Sequence, residues 1–423
     1  MPASILQLGR ESELCLAELI QAAKLQGLLV SSEGEGLARL EGLGDQGAES
    51  GIAGFCERLG GTIRAVRPLA EQPLLDQIPV SEQPAPGLPT AMEQPPPGLP
   101  PVGGRSRIPL PRGPWALSAL SEGLAEERER LRAWIRQGIE SDPEAHGREE
   151  RAAPGEVEVV PAKVFHLIRE RHGLELCLWK DRAGEVRIGQ TAWIYSPDDF
   201  AERDVGKPHR PRRRGLLPPK LARQMVNLAA HPGATRLLDP FCGAGAVLIE
   251  GMLLGYQVAG SDLREEALDQ SRENLDWFLK RHSRDPAREL PGYLFLKRFD
   301  VRKLSRQIDP LSFDMVVGEG DLGPPIRGAL PRKAAVEHAK ALEGLYVTAF
   351  AEIRIILKPG GRVCLAVPFW HPSAGEAIHL NLERRLALAG YVPVFKERGY
   401  RPILYRRKDQ RVGRAIYVLE SPA

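Results

Sequence analysis

The chain has 423 residues, 43% of them hydrophobic, and a formal net charge of +3. That length allows two to four domains with their own cores, and the near-neutral sum makes the placement of charge more telling than its total. Five scattered cysteines, with no CxxC and no Cys/His pair at metal spacing, exclude a disulfide scaffold and a zinc centre; no stretch approaches the roughly 20 apolar residues of a membrane span, and Met1 to Leu14 lacks a basic-then-apolar leader, so a soluble, cytoplasmic protein without a metal is expected.

Residues 1–67 read as a small globular domain, with a helical pattern through Glu11 to Leu25 and a strand at Gly61–Val66. The stretch 68–114 holds 14 of the 37 prolines, including Pro95-Pro96-Pro97, and reads as an extended linker because it cannot sustain a helix or a central strand. Residues 115–200 look like an α+β unit: a strand at Trp115–Leu120, a charge-alternating helix at Glu126–Gln137, a polar loop over Asp142–Gly155, and strands at Leu174–Trp179 and Val186–Ile194. A connector, 201–217, contains the basic run His209-Arg210-Pro211-Arg212-Arg213-Arg214. From Pro218 to the end the pattern alternates strand and helix, with strands near 236–239, 257–261, 293–299, 313–318, 361–367, 391–396 and 414–419, which predicts a mostly parallel sheet covered on both faces.

The chemistry concentrates in this last region. Leu238-Asp239-Pro240-Phe241-Cys242-Gly243-Ala244-Gly245-Ala246 joins a short buried strand to an apolar helix through a glycine turn that permits close backbone approach. It has neither the three-glycine dinucleotide fingerprint nor the Lys-Ser/Thr of a P-loop, so phosphate ligands are disfavoured. The next strand ends at Asp262, followed by Leu263, where a carboxylate can accept hydrogen bonds from both ribose hydroxyls. Asp300 closes the third strand, placed either to accept from an adenine amino group or to cap the following helix. The fourth strand, Phe313–Val317, runs into Gly318-Glu319-Gly320-Asp321-Leu322-Gly323-Pro324-Pro325, a loop at the carboxyl end of the sheet where catalytic groups collect.

Asp-Pro-Phe-Cys-Gly-x-Gly resembles the first motif of amino-methylating, S-adenosylmethionine-dependent methyltransferases, and the fourth-strand loop stands where those enzymes carry Asp/Asn-Pro-Pro-Tyr/Phe. The resemblance implies that Asp239, Phe241, Gly243, Gly245, Asp262, Leu263 and Asp300 bind the cofactor. The loop departs from the motif: Glu319 falls on the catalytic acid, with Asp321 as the second candidate, Leu322 falls on the aromatic, and Pro324 and Pro325 are displaced downstream. A loop that merely ends the strand is the alternative.

Three further blocks, Ala201–Pro208 with Gly215–Ala222, Asp239–Gly245 and Asp409–Arg414, resemble the THUMP-domain tRNA guanosine-10 N2-methyltransferases. That resemblance implies a Rossmann-like class I methyltransferase domain (218–423) preceded by ferredoxin-like (1–67) and THUMP-like RNA-binding (115–200) α+β domains. It implies transfer of a methyl to a guanine N2 amine in tRNA, a small activating protein subunit as a further partner, and substrate contacts from Leu322, Pro324 and Pro325; independently of the family, the basic run with Arg212, Arg213 and Arg214 reads as a further substrate contact, to RNA phosphates. Arg398, Arg401, Arg406, Arg407, Lys408, Arg411 and Arg414 form a second basic cluster, an electrostatic footprint for phosphate backbones. Adenine-N6 or ribosomal guanine-N2 methylation, and a non-catalytic RNA-binding protein that keeps the fold, stand as alternatives.

Overall fold

A computed structural model of the protein describes residues 3–34, 36–42, 48–69, 114–140, 161–210, 216–282, 290–326, 328–407 and 410–422, with the single positions 108, 111, 156 and 159. Most of the Pro-rich stretch, the 142–155 loop and the run Arg212-Arg213-Arg214 lie outside the described residues.

The first half contains β1 (Ser4–Leu8), α1 (Ser12–Leu25), β2 (Leu29–Gly34), β3 (Leu37–Glu41), α2 (Ala48–Glu57), β4 (Thr62–Pro68), β5 (Trp115–Ala119), α3 (Ala125–Glu140), α4 (Pro161–Arg169), β6 (Leu174–Lys180) and β7 (Val186–Ile194). The second contains α5 (Pro197–Ala201), α6 (Pro219–Ala229), β8 (Arg236–Asp239), α7 (Ala246–Leu253), β9 (Gln257–Asp262), α8 (Glu265–His282), β10 (Tyr293–Arg298), β11 (Phe313–Glu319), α9 (Arg332–Ile356), β12 (Leu357–Trp370), α10 (Glu383–Leu388), β13 (Val392–Pro393), β14 (Ile403–Tyr405) and β15 (Val412–Glu420). Among the described residues no helix is long and apolar enough to cross a membrane.

These elements form two compact units. The first holds a seven-stranded sheet in the order β2-β3-β1-β4-β7-β6-β5. Its first four strands, antiparallel and ordered 2-3-1-4 in a βαββαβ succession, have the ferredoxin-like arrangement. β4 then pairs with β7, from Arg64 opposite Ile194 to Pro68 opposite Gly189, so strands from both sides of the Pro-rich stretch share one sheet. Trp115, Leu117, Leu131, Ile135, Leu176 and Leu178 belong to one of its apolar clusters.

The second unit is an α/β layer whose eight-stranded sheet runs β10-β9-β8-β11-β12-β15-β13, with β14 also on β15. β8 to β12 are parallel and β15 is antiparallel to β12 over nine residue pairs. This Rossmann-like order reverses direction between β8 and β11, the position at which open α/β sheets bind ligands. Apolar clusters lie on both faces: Met225, Val226, Leu248 and Phe278 belong to one, Tyr346, Phe350 and Val316 to the other. The strand expected at 391–396 is reduced to Val392–Pro393, which pairs with β15, and the Val394 N–H donates to the Val418 carbonyl at 3.2 Å just beyond it.

Residues 11–27 and 58–61 belong to this second unit. The buried Glu18 of α1 accepts from the backbone N–H of Gly60 and Gly61, both at 2.7 Å, and from Nδ2 of Asn227 on α6 at 2.6 Å. A Cβ on Gly60 would run into the Lys220 carbonyl, and one on Gly61 into the Glu18 carboxylate, so two glycines are needed for this fit.

Candidate active site

β8 delivers Asp239 to the carboxyl edge of the sheet, beside the switch point. Its side chain is buried, 2% exposed, and accepts from the Phe241 N–H at 3.0 Å. Gly243 and Gly245 take left-handed φ values of +51° and +83°, and Gly245 leads directly into α7. The turn is held from outside: Cys242 N–H donates to the Ser261 carbonyl at 2.9 Å, and Asn274 of α8 donates to the Ala244 carbonyl at 2.9 Å and to that of His209 at 3.0 Å.

Asp262, at the end of β9, accepts from Gly243 N–H at 3.2 Å and Arg264 N–H at 3.0 Å, which ties the second strand to the glycine turn. Leu263 beside it is 55% exposed, an apolar side chain left on the rim. Asp300 caps the short 3₁₀ helix Val301–Arg306 through Arg302 N–H at 3.0 Å and pairs with the Arg302 guanidinium at 2.7 Å. The capping geometry weighed from the sequence is thus present, and that ion pair holds the Asp300 carboxyl below its ordinary range.

β11 ends at Glu319, whose carboxylate is 11% exposed and forms an ion pair with Arg414 of β15, itself 6% exposed. Burial raises the Glu319 carboxyl and Arg414 opposes the rise. Burial also pushes Asp239 well above the usual carboxylate range, and the nearby carboxylates of Asp262 and Glu319 push it further. Asp239, Asp262 and Glu319 therefore share one electrostatic neighbourhood. Asp321 is exposed and folds back on its own loop, accepting from Gly323 N–H at 2.9 Å. Its carbonyl accepts from the buried Tyr346 hydroxyl at 2.7 Å. Leu322 is half-buried, whereas Pro324 and Pro325 are exposed.

Five residues important to this geometry do not stand out in the sequence motifs. A Cβ on Gly318 would lie 2.5 Å from Asp239 Oδ1, and one on Gly320 would strike the Tyr346 hydroxyl, so the strand end and loop pack backbone against side chain. Asn274 and Tyr346 lie on helices far along the chain, with no local signature. Arg414 was read from the sequence as part of a surface basic cluster; its burial against Glu319 removes it from that surface.

The cradle suits a nucleoside joined to an amino acid: left-handed glycines, an acid at the end of each of the first two strands and another two residues past the third, and a buried carboxyl with no cationic partner among the described residues. Residues 209–316 match the family described as RMKL-like, methyltransferase domain. A tRNA (guanine(10)-N2)-dimethyltransferase of Pyrococcus abyssi is 31% identical over 202 residues, 44% of this chain and 56% of that protein. The protein of that name in Methanocaldococcus jannaschii is 29% identical over 136 residues, 31% of this chain and 36% of its own length. The matched segments thus span about half or less of these relatives. The crystal structure of TrmN from Thermus thermophilus aligns with 99% of each chain at a TM-score of 0.50 and 18% identity, a likeness of fold. The family match lies within the second unit, over the glycine turn and most of the first four strands of its parallel sheet.

Proposed function

We propose that the chain transfers a methyl group from S-adenosylmethionine to the exocyclic N2 amine of a guanine in tRNA. The observation that carries this reading is the convergence at the switch point of Asp239, Asp262 and Glu319 around a glycine turn, in a domain whose curated relatives are named for that reaction at guanine 10. Asp239 and the backbone of 241–245 would hold the amino-acid end of the cofactor, Asp262 its ribose, and Leu263 with Asp300 the adenine side. When bound, S-adenosylmethionine would supply a sulfonium methyl: the amine nitrogen forms the new N–C bond, the C–S bonding pair returns to sulfur, and the excess N–H proton leaves through the Glu319 carboxylate or water.

The protein's part is orientation. A guanine N2 lone pair is conjugated with the ring, and accepting an amine hydrogen turns it towards the methyl. Glu319, in a buried position where hydrogen bonds to a charged acceptor are strong, fills that role. Leu322 offers an apolar contact where an aromatic would stack, so more of the base's placement falls to the carboxylate and to RNA contacts away from the loop.

The test is incorporation of labelled methyl into two otherwise unmodified tRNA transcripts, one with guanosine at position 10 and one with inosine there, which lacks the N2 amine. Label in the first and not the second supports the reading. Equal labelling of both, or RNA binding without labelling of either, contradicts it.

A further inference from the structure

The ion pair between Glu319 and Arg414 crosses an intervening strand. β11 runs parallel to β12 with Glu319 opposite Ala366, and β15 runs antiparallel on the other side with Arg414 opposite Pro368. Cross-strand partners share a face, and positions 366 and 368 lie on the same side of β12, so the two charged side chains meet over that strand. The side chain at 366 is a methyl group, which leaves their path open. Arg414 is also held from the far side: it pairs with Tyr405 of β14, and its guanidinium carbon lies 5.7 Å from the Tyr405 ring centroid. The contact with Glu319 is a single hydrogen bond from Nε to Oε2, and Oε1 has no hydrogen-bond partner among the described residues.

We infer that Arg414 is a positioning residue of the methyl-transfer site: by holding Oε2 of Glu319, it fixes the carboxylate so that Oε1 is left to accept a hydrogen of the substrate amine. The inference rests on the reading of Glu319 as the amine acceptor. Two buried charges cost several kcal/mol each when unpaired, so a pair this deep is retained only where each partner satisfies the other. Without Arg414, burial would favour the neutral form of Glu319 unopposed, because the other described ionisable groups around it, Asp239 at the end of β8, Tyr346 of α9 and Asp321 in its own loop beside Tyr346, are acids and supply no positive charge. A neutral Glu319 would carry a proton where an acceptor is needed.

Arg414→Met and Arg414→Lys in the full chain test this. In the unliganded protein, the ¹³C-carboxyl titration of Glu319, assigned by its loss in Glu319→Gln, should move upward by at least about one pH unit in Arg414→Met and much less in Arg414→Lys. Turnover on the guanosine-10 transcript should fall at least about ten-fold at neutral pH in Arg414→Met and recover as pH rises, with cofactor affinity changed less than about two-fold. Arg414→Lys, which keeps the charge but not the Nε geometry, should retain the wild-type pH profile at a lower turnover. An unmoved Glu319 titration in Arg414→Met overturns the inference whatever the RNA assay gives. If Arg414→Met does not fold, wild-type turnover in Arg414→Lys overturns it. A shifted titration together with a wild-type protein that methylates no transcript overturns the substrate reading alone.

Discussion

Asp239 has the most unusual environment in the candidate site: a buried carboxyl with one backbone donor, two neighbouring carboxylates and a glycine pressed against it. Burial, with those two carboxylates beside it, holds its carboxyl well above the ordinary carboxylate range. A cationic ligand favours the ionised form. Over the pH range in which Asp239 ionises, cofactor binding should therefore release a proton, seen as a dependence of the calorimetric enthalpy on buffer ionisation and abolished in Asp239→Asn; a buffer-independent enthalpy at every pH in the wild type would contradict this. Asp262→Ala should weaken cofactor affinity by more than about ten-fold, through loss of a charge-assisted acceptor and of the bond that shapes Gly243. The acids and glycines of the turn were legible because strand, turn and helix are contiguous. Gly318, Tyr346 and Arg414 were not, since each matters through a partner that the fold brings from elsewhere.

Among the elements, α1 shows how much of the C-terminal unit lies outside its sequence-defined range. The helix itself was legible over Glu11–Leu25 from its periodicity, but its docking on α6 through Glu18, Asn227 and the 58–61 loop involves residues about 200 positions apart. Burial pushes Glu18 from 4.5 to about 7, against three hydrogen bonds that favour the carboxylate. The proton is thus held more tightly in the folded than in the unfolded chain. That contribution to stability is complete below about pH 4.5 and is lost as pH rises through about 7. In thermal melts, any advantage of the wild type over Glu18→Gln should shrink between pH 5 and 7 and level off above; a constant difference would show that Glu18 does not titrate there. β13 and β14 were poorly legible, because two- and three-residue strands carry no usable alternation and are fixed by pairing to β15.

At the scale of the whole molecule, the alternation of strand and helix from residue 218 onward specified the α/β layer, because each βα step is local. The seven-stranded sheet was read only in fragments, since its β4–β7 seam joins residues more than 120 positions apart across the Pro-rich stretch. RNA recognition belongs to this scale as well. If Arg212, Arg213 and Arg214 contact phosphates, replacing all three with alanine should weaken tRNA binding with little regard to sequence and reduce the slope of log affinity against log salt by about 2 to 3. An unchanged slope would place the phosphate contacts elsewhere.

The role proposed for Glu319, presenting a guanine amine for methylation, can be tested by nucleoside mass spectrometry of unmodified tRNA transcripts after incubation with S-adenosylmethionine and either the wild-type chain or Glu319→Gln. With Glu319 in that role, the wild type should yield N2-methylguanosine and the variant at least about a hundred-fold less, with its cofactor affinity intact. Methyladenosine in place of methylguanosine, or undiminished N2-methylguanosine from Glu319→Gln, would contradict it.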